Sequence, residues 1–176
     1  MSRKTCVIMI ALFCFALFTC SVLGQEEEAK KVRDLLIKEM TSCMKGDVQQ
    51  ILSCYADDIF VGYYAMTENP QDWAVWIDKK EELTKYAESH KGRPEIAAKH
   101  PDWQHINEVR HVNVKGDHAI AVTNHLTIMY DDKAREDIIN EHQSVWLLTR
   151  SKGSWKITNF IGGVTQSQTI SKRSPE

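Results

Sequence analysis

From about residue 105 to residue 166 the chain alternates β-branched, aromatic and polar residues, and the run breaks at only three places. These are Lys115-Gly116-Asp117-His118, a polar stretch at 131–140, and Ser151-Lys152-Gly153-Ser154. Strands at about 105–115, 118–130, 141–150 and 154–166 joined this tightly must pair antiparallel with their sequence neighbours, because a parallel crossover needs a dozen or more residues. A four-strand meander is therefore the framework to which everything upstream must attach.

The turn lengths assign faces. A two-residue loop at Gly116-Asp117 sets Val112 and Val114 opposite Ala121 and Ala119, and strict alternation carries that face to Arg110, Thr123, His125 and Thr127. A four-residue loop at 151–154 pairs Arg150 with Trp155 and puts Trp146, Leu148, Trp155, Ile157, Asn159 and Ile161 on a common face. Ile120, Val122, Leu126, Val145 and Leu147 take the other side. A sheet apolar on both sides is expected to press one face on helices and the other on a second subunit, so a homodimer through the outer face is the expected assembly.

Upstream, Ala29, Val32, Leu36, Met40 and Cys43 recur at spacings of three and four, which predicts an amphipathic helix over 26–45, stopped by Gly46. Asp47 with Gln50 three residues on caps a second short helix over 47–55. Residues 59–66 and 73–77 read as a hairpin around a polar turn, Asp78 with Glu81 caps a third helix over 78–91, and one helical turn is expected at 95–99. The expected fold class is α+β: a cone-shaped, curved, mixed or antiparallel sheet of about six strands wrapped around three helices, in the order α-α-β-β-α-β-β-β-β.

Residues 1–24 read as a secretory signal peptide, with Arg3 and Lys4, an apolar stretch from Val7 to Phe18, and Val22-Leu23-Gly24 at the cleavage site. An uncut amino-terminal anchor or a lipidated Cys20 are the alternatives, and export is common to all three. The expected domain is 25–166, followed by a flexible polar tail at 167–176, in a periplasmic or extracellular protein without stable membrane association after cleavage. Of five cysteines, Cys43 and Cys54 remain, either as buried thiols or as a disulfide. The formal net charge of −2 becomes more acidic once Arg3 and Lys4 are removed, which argues against nucleic acid as a partner.

The order of elements, with Lys45-Gly46-Asp47-x-x-x-Ile51-x-x-x-Tyr55-Ala56-Asp57-Asp58 and the closing Gly153-x-Trp155-Lys156-Ile157, resembles the nuclear transport factor two-like, or SnoaL-like, superfamily over nearly the whole chain after residue 24. That resemblance implies a cone with an apolar pocket between sheet and helices, and usually a dimer. Its members include isomerases, cyclases, epoxide hydrolases, dehydratases and non-catalytic modules, so it specifies a fold better than an activity. Against ketosteroid isomerase, whose Gly-Asp to Ala-Asp-Asp stretch aligns here without a gap, the general-base aspartate falls on Tyr63 and the oxyanion-binding tyrosine on Glu39. An unperturbed tyrosine is a donor rather than a base at neutral pH, so steroid isomerase chemistry is disfavoured unless Glu39 and Tyr63 have exchanged roles.

The face assignment gathers Tyr63, Arg110, Thr123, His125 and Asn159 at the pocket, with Trp146 as an apolar wall. His125 is the candidate acid or base with Glu39 as the second carboxylate, and Arg110 is the candidate partner for a ligand carboxylate. Each residue type also serves as an ordinary core or strand-edge group. Asp57 and Asp58 read as helix-to-strand turn residues, and Trp73 and Trp76 as packing or as a stacking surface near the pocket mouth. No metal motif, nucleophile elbow or phosphate-binding glycine loop occurs, and no cofactor is expected. Two function classes stay open, an exported protein binding a small, partly apolar molecule and a cofactor-independent isomerase, dehydratase or cyclase using His125 and Glu39. A third reading is a dimeric assembly module with a filled pocket.

Overall fold

The computed structural model describes residues 3–57, 61–64, 69, 71, 73–131 and 135–172, with side chains described from residue 24 onward except at 64, 131 and 164–166. Helix α1 (Arg3–Lys45) leads through α2 (Val48–Cys54), β1 (Val61–Tyr64) and β2 (Ala74–Ile77) to α3 (Lys80–Ser89) and a short α4 (Arg93–Lys99). The meander follows as β3 (Gln104–Lys115), β4 (His118–Asp131), β5 (Glu136–Ser151) and β6 (Ser154–Lys172). The six strands form one mixed sheet in the order β2-β1-β6-β5-β4-β3, with β1 parallel to β6 and every other pair antiparallel. The curved, unclosed sheet and its helices make a cone.

The amphipathic stripe of α1 sits where the spacing put it, with Val32, Leu36, Met40 and Cys43 buried against the sheet. The helix runs back to Arg3 rather than starting at 26, since nothing between the apolar stretch and Ala29 breaks it except a single tolerated Gly24. Gly46 ends it at φ +66°, the left-handed region that glycine enters without strain, and Asp47 N–H donates back to the Ser42 carbonyl at 3.0 Å. Asp47 then caps α2 by accepting from the Gln50 amide at 3.0 Å. At α3 the expected box of Asp78 with Glu81 does not form: Lys79 holds the N-cap position without a side-chain cap bond, and Glu82 accepts from the Asp78 amide at 3.0 Å.

Core packing joins α1 and α2 to the narrow end of the cone, where Ile51, Cys54, Leu148, Trp155 and Ile157 are buried. Cys43 and Cys54 are free thiols. Trp155 Nε1 donates to Glu28 Oε2 at 2.8 Å, and Arg150 bridges the same carboxylate and Asp117 at 3.0 and 2.8 Å, tying the Gly116 and Gly153 turns to α1.

Both turn registers hold: Val112 pairs with Ala121, Val114 with Ala119, and Arg150 with Trp155. Beyond them, two bulges change the faces. Val109 pairs with Thr123 and His111 with Val122, so Arg110 is an extra residue on β3. Leu148 pairs with Ile157 and Leu147 with Asn159, so Thr158 is an extra residue on β6, its hydroxyl donating to the Leu147 carbonyl at 3.1 Å. Each bulge reverses the facing of what lies beyond it. Asn159 and Ile161 consequently turn to the outer face and Phe160 turns in. A further irregularity opposes residues 162–164 to Ser144, with Gly163 at φ +69°. β6 then stays paired with β5 as far as Lys172 opposite Glu136, so residues 167–172 are strand and not the expected loose tail.

Candidate functional site

Cross-strand pairing arranges the polar residues of the inner face in rows. Val109, Thr123 and Ser144 form the deepest row, Asn107, His125 and His142 the next, and His105, Thr127 and Asn140 the outermost. Directly opposed residues share a face and sit close enough to touch. Helices α1 and α3 cover these rows with Glu39, Met40, Cys43 and Tyr86, enclosing a chamber of about 160 Å³. The chamber opens into a wider cleft of about 750 Å³, and Tyr86, His90, Arg93, His142, Ser144 and Phe160 line both. Trp76 stands beside that cleft, edge-on to Tyr86 at 5.0 Å, and Phe160 lies 4.5 Å from Trp146.

His125 is held at both nitrogens. Trp146 Nε1, which can only donate, gives its proton to Thr123 Oγ1 at 2.8 Å. Thr123 Oγ1 lies 2.9 Å from His125 Nε2, and His125 Nδ1 lies 2.8 Å from Asn107 Oδ1. An amide oxygen only accepts, so Nδ1 carries the hydrogen and Nε2 takes the Thr123 proton. Burial, with smaller contributions from His142 and Arg93, lowers the His125 pKa to about 4, which keeps the ring neutral. Its face stacks on His142, 4.7 Å away and 17° from parallel.

At the chamber floor Glu39 is 1% exposed, and its Oε1 accepts from Tyr55 at 2.7 Å, Cys43 at 3.2 Å and Tyr86 at 3.4 Å. Burial pushes the carboxyl up against the opposing pull of those bonds and of Arg93. The same burial raises the Cys43 thiol well out of the reactive range. His90 Nδ1 sits 2.8 Å from the Tyr86 carbonyl and must donate to it, leaving a bare Nε2 on a ring whose pKa burial lowers.

Of the residues singled out in the sequence, Glu39, His125 and Trp146 line this chamber, and Thr123 is buried behind the last two. Arg110, on its bulge, pairs with Glu108 at 2.8 Å on the outside. Asn159 shares the outer face with Leu147, and Tyr63, paired with Ile161, shares it too. Asp57 is exposed beside Lys80, and Asp58 lies outside the described residues. His142, Ser144, Asn107, Tyr86, His90 and Arg93 complete the site and were not anticipated. Counting back by twos from Trp146 does reach Ser144 and His142, while Asn107 needed the Arg110 bulge. Among the described residues no group of three or more His, Cys, Asp or Glu side chains is placed to hold a metal ion.

No protein-family model and no curated protein matches the chain. Solved structures do. An NTF2-like protein of unknown function from Pseudomonas putida superposes with a TM-score of 0.58 at 20% identity, over 78% of this chain and 87% of that one. A ketosteroid isomerase-like protein from Erwinia carotovora atroseptica gives 0.52 at 20% identity, over 85% and 98%. A type 2 hexachlorocyclohexane dehydrochlorinase, LinA, gives 0.57 at 12% identity, over 87% and 97%. The chain therefore has the NTF2-like cone, also described as a cystatin-like fold. These neighbours include a dehydrochlorinase, an isomerase-like protein and proteins of unknown function, and what they share with this chain is a pocket-forming fold.

Proposed function

We propose that this chain is an exported pocket protein that binds a small, partly apolar molecule in the cone without turning it over. The observation that carries this reading is the commitment of His125. His125, in the middle row of the chamber, has its lone pair filled by Thr123 and its hydrogen given to Asn107, so it shapes the site instead of exchanging protons. The chamber wall is aromatic on one side and polar on the other, which suits a ligand with an apolar body and one polar end. Thermal-shift screening of small aromatic compounds against the wild type and Thr127→Trp, which fills the chamber, tests it. Ligand-induced shifts that vanish in the filled variant support binding there. Conversion of any bound compound by the wild type replaces the reading with an enzymatic one.

Two further features belong to the proposal. Residues 1–24 act as the export signal, and intact mass of the exported protein is expected to start at Gln25. The outer sheet face forms a homodimer: Ile106, Ile120 and Leu147 are 47%, 42% and 38% exposed there, and pairing two such faces would bury an area in the range of stable interfaces.

A further inference from the structure

Arg93 is the unneutralised cation of the pocket. Arg110 holds Glu108, and Arg150 holds Glu28 and Asp117, whereas among the described residues the Arg93 guanidinium has no ion pair and bonds only the Met44 thioether, Nη1 to Sδ at 3.6 Å. It lines both the chamber and the outer cleft, at the first residue of α4, with its own amide anchored to the His90 carbonyl at 3.0 Å. Its charge reaches Glu39, Cys43, His90, His105 and His125, groups on three sides of the chamber. The carboxylates that line the same cavities do not pair with it. Glu39 lies at the floor with Tyr55, Tyr86 and Cys43 on its Oε1, and Glu141, at the cleft rim, accepts from Asn124 at 2.6 Å.

The remaining surface completes an anion site. Asn107 Oδ1 is turned to His125, so its Nδ2 is left as a donor, and the Ser144 hydroxyl lines the junction of chamber and cleft. Beside these stand Trp76, 45% exposed in the cleft, and Phe160 on Trp146. We propose that the pocket selects a small organic acid, its carboxylate on Arg93 with Asn107 and Ser144 as further donors and its apolar or aromatic body against Phe160, Trp146 and Trp76. This rests on the binding reading above and names its ligand class. An exposed guanidinium that lines the pocket without a carboxylate partner among the described residues is matched by a ligand carboxylate, for which its planar fork gives two parallel donors.

The test uses three probes of the same shape, phenylacetate, phenylacetamide and 2-phenylethanol, titrated by calorimetry at constant ionic strength into the wild type, Arg93→Gln, Arg93→Lys and Arg110→Gln. The wild type and Arg110→Gln are expected to bind the acid about tenfold or more tightly than the amide. Arg93→Gln is expected to lose that preference while keeping the amide affinity, and Arg93→Lys to keep part of it. An unchanged preference in Arg93→Gln, checked for folding by circular dichroism, overturns the proposal. So does equal binding of all three probes by the wild type, though this leaves the pocket reading standing. Binding of none of them in the millimolar range, together with a screen in which no compound shifts the wild type, removes both.

Discussion

Tyr55 gives its hydroxyl hydrogen to Glu39 across 2.7 Å, and both residues are almost wholly buried. A carboxyl group in so dry a place survives because one oxygen gathers three donors, and the tyrosines survive because the carboxyl receives them. Glu39→Ala should cost about 3 kcal/mol, since it strands two hydroxyls and leaves a cavity. Glu39→Gln keeps an accepting oxygen and should cost about 1 kcal/mol, as should Tyr55→Phe. Urea denaturation checks the ranking, and a Gln variant as damaging as the Ala variant would contradict it.

Acid should weaken the fold through His125. Its folded pKa of about 4 lies below the ordinary 6.5, so the unfolded chain binds the extra proton first. Stability from this residue is therefore complete above pH 6.5, declines as pH falls, and is exhausted near pH 4. The size is on the order of 2 kcal/mol once partial exposure is discounted. His90, His105 and His142 act in the same direction, whereas the raised Glu39 adds stability at low pH that is lost as pH rises. Comparing denaturation at pH 7 and pH 4.5 for the wild type and His125→Gln isolates this residue's contribution, and the variant should show the shallower decline.

The outer face should hold two copies together. Ile120→Glu or Leu147→Glu places a charge in an exposed apolar row and should give a monomer by light scattering while the wild type is a dimer. A wild-type monomer at micromolar concentration would remove the dimer from the proposal.

Gly46 should resist substitution. A Cβ there would lie 2.9 Å from the His90 carbonyl oxygen and 3.1 Å from Lys91 Cα, on a backbone already at φ +66°. Gly46→Ala is expected to lower stability by about 2 kcal/mol or more, read as a fall in Tm.

The meander, its two tight-turn registers, the α1 stripe and the Asp47 cap were all legible, because each depends on local geometry: a turn length, a helical period, a side-chain cap. The site was half legible. Thr123, His125 and Trp146 lie on β4 and β5, while the extra residues of the two bulges sit on the partner strands β3 and β6, so alternation counted along their own strands places them correctly. Arg110 and Asn159 lie at or beyond the bulges at Arg110 and Thr158, where neither glycine nor proline marks the extra residue and long-range packing settles the facing. Arg93 follows the third helix in a polar stretch without periodicity, and only the tertiary fold swings it over the cone. The last stretch of the final strand was missed for a related reason, since 167–172 is polar and is held by its pairing to 136–141 rather than by any buried face.

The row from Trp146 to Asn107 runs one way. An indole nitrogen can give a hydrogen but never take one, and an amide oxygen can take one but never give it, so the two ends between them set the direction of the threonine and the imidazole. What a ligand meets at the exposed end is thus tied to a contact some three side chains away, in the dry middle of the sheet. Exchanging that indole for a phenyl ring would keep an aromatic wall beside the ligand, yet it would take away the hydrogen that the Thr123 oxygen receives and leave the hydroxyl free to turn. The pocket would keep its apolar wall and lose the buried anchor of its polar one.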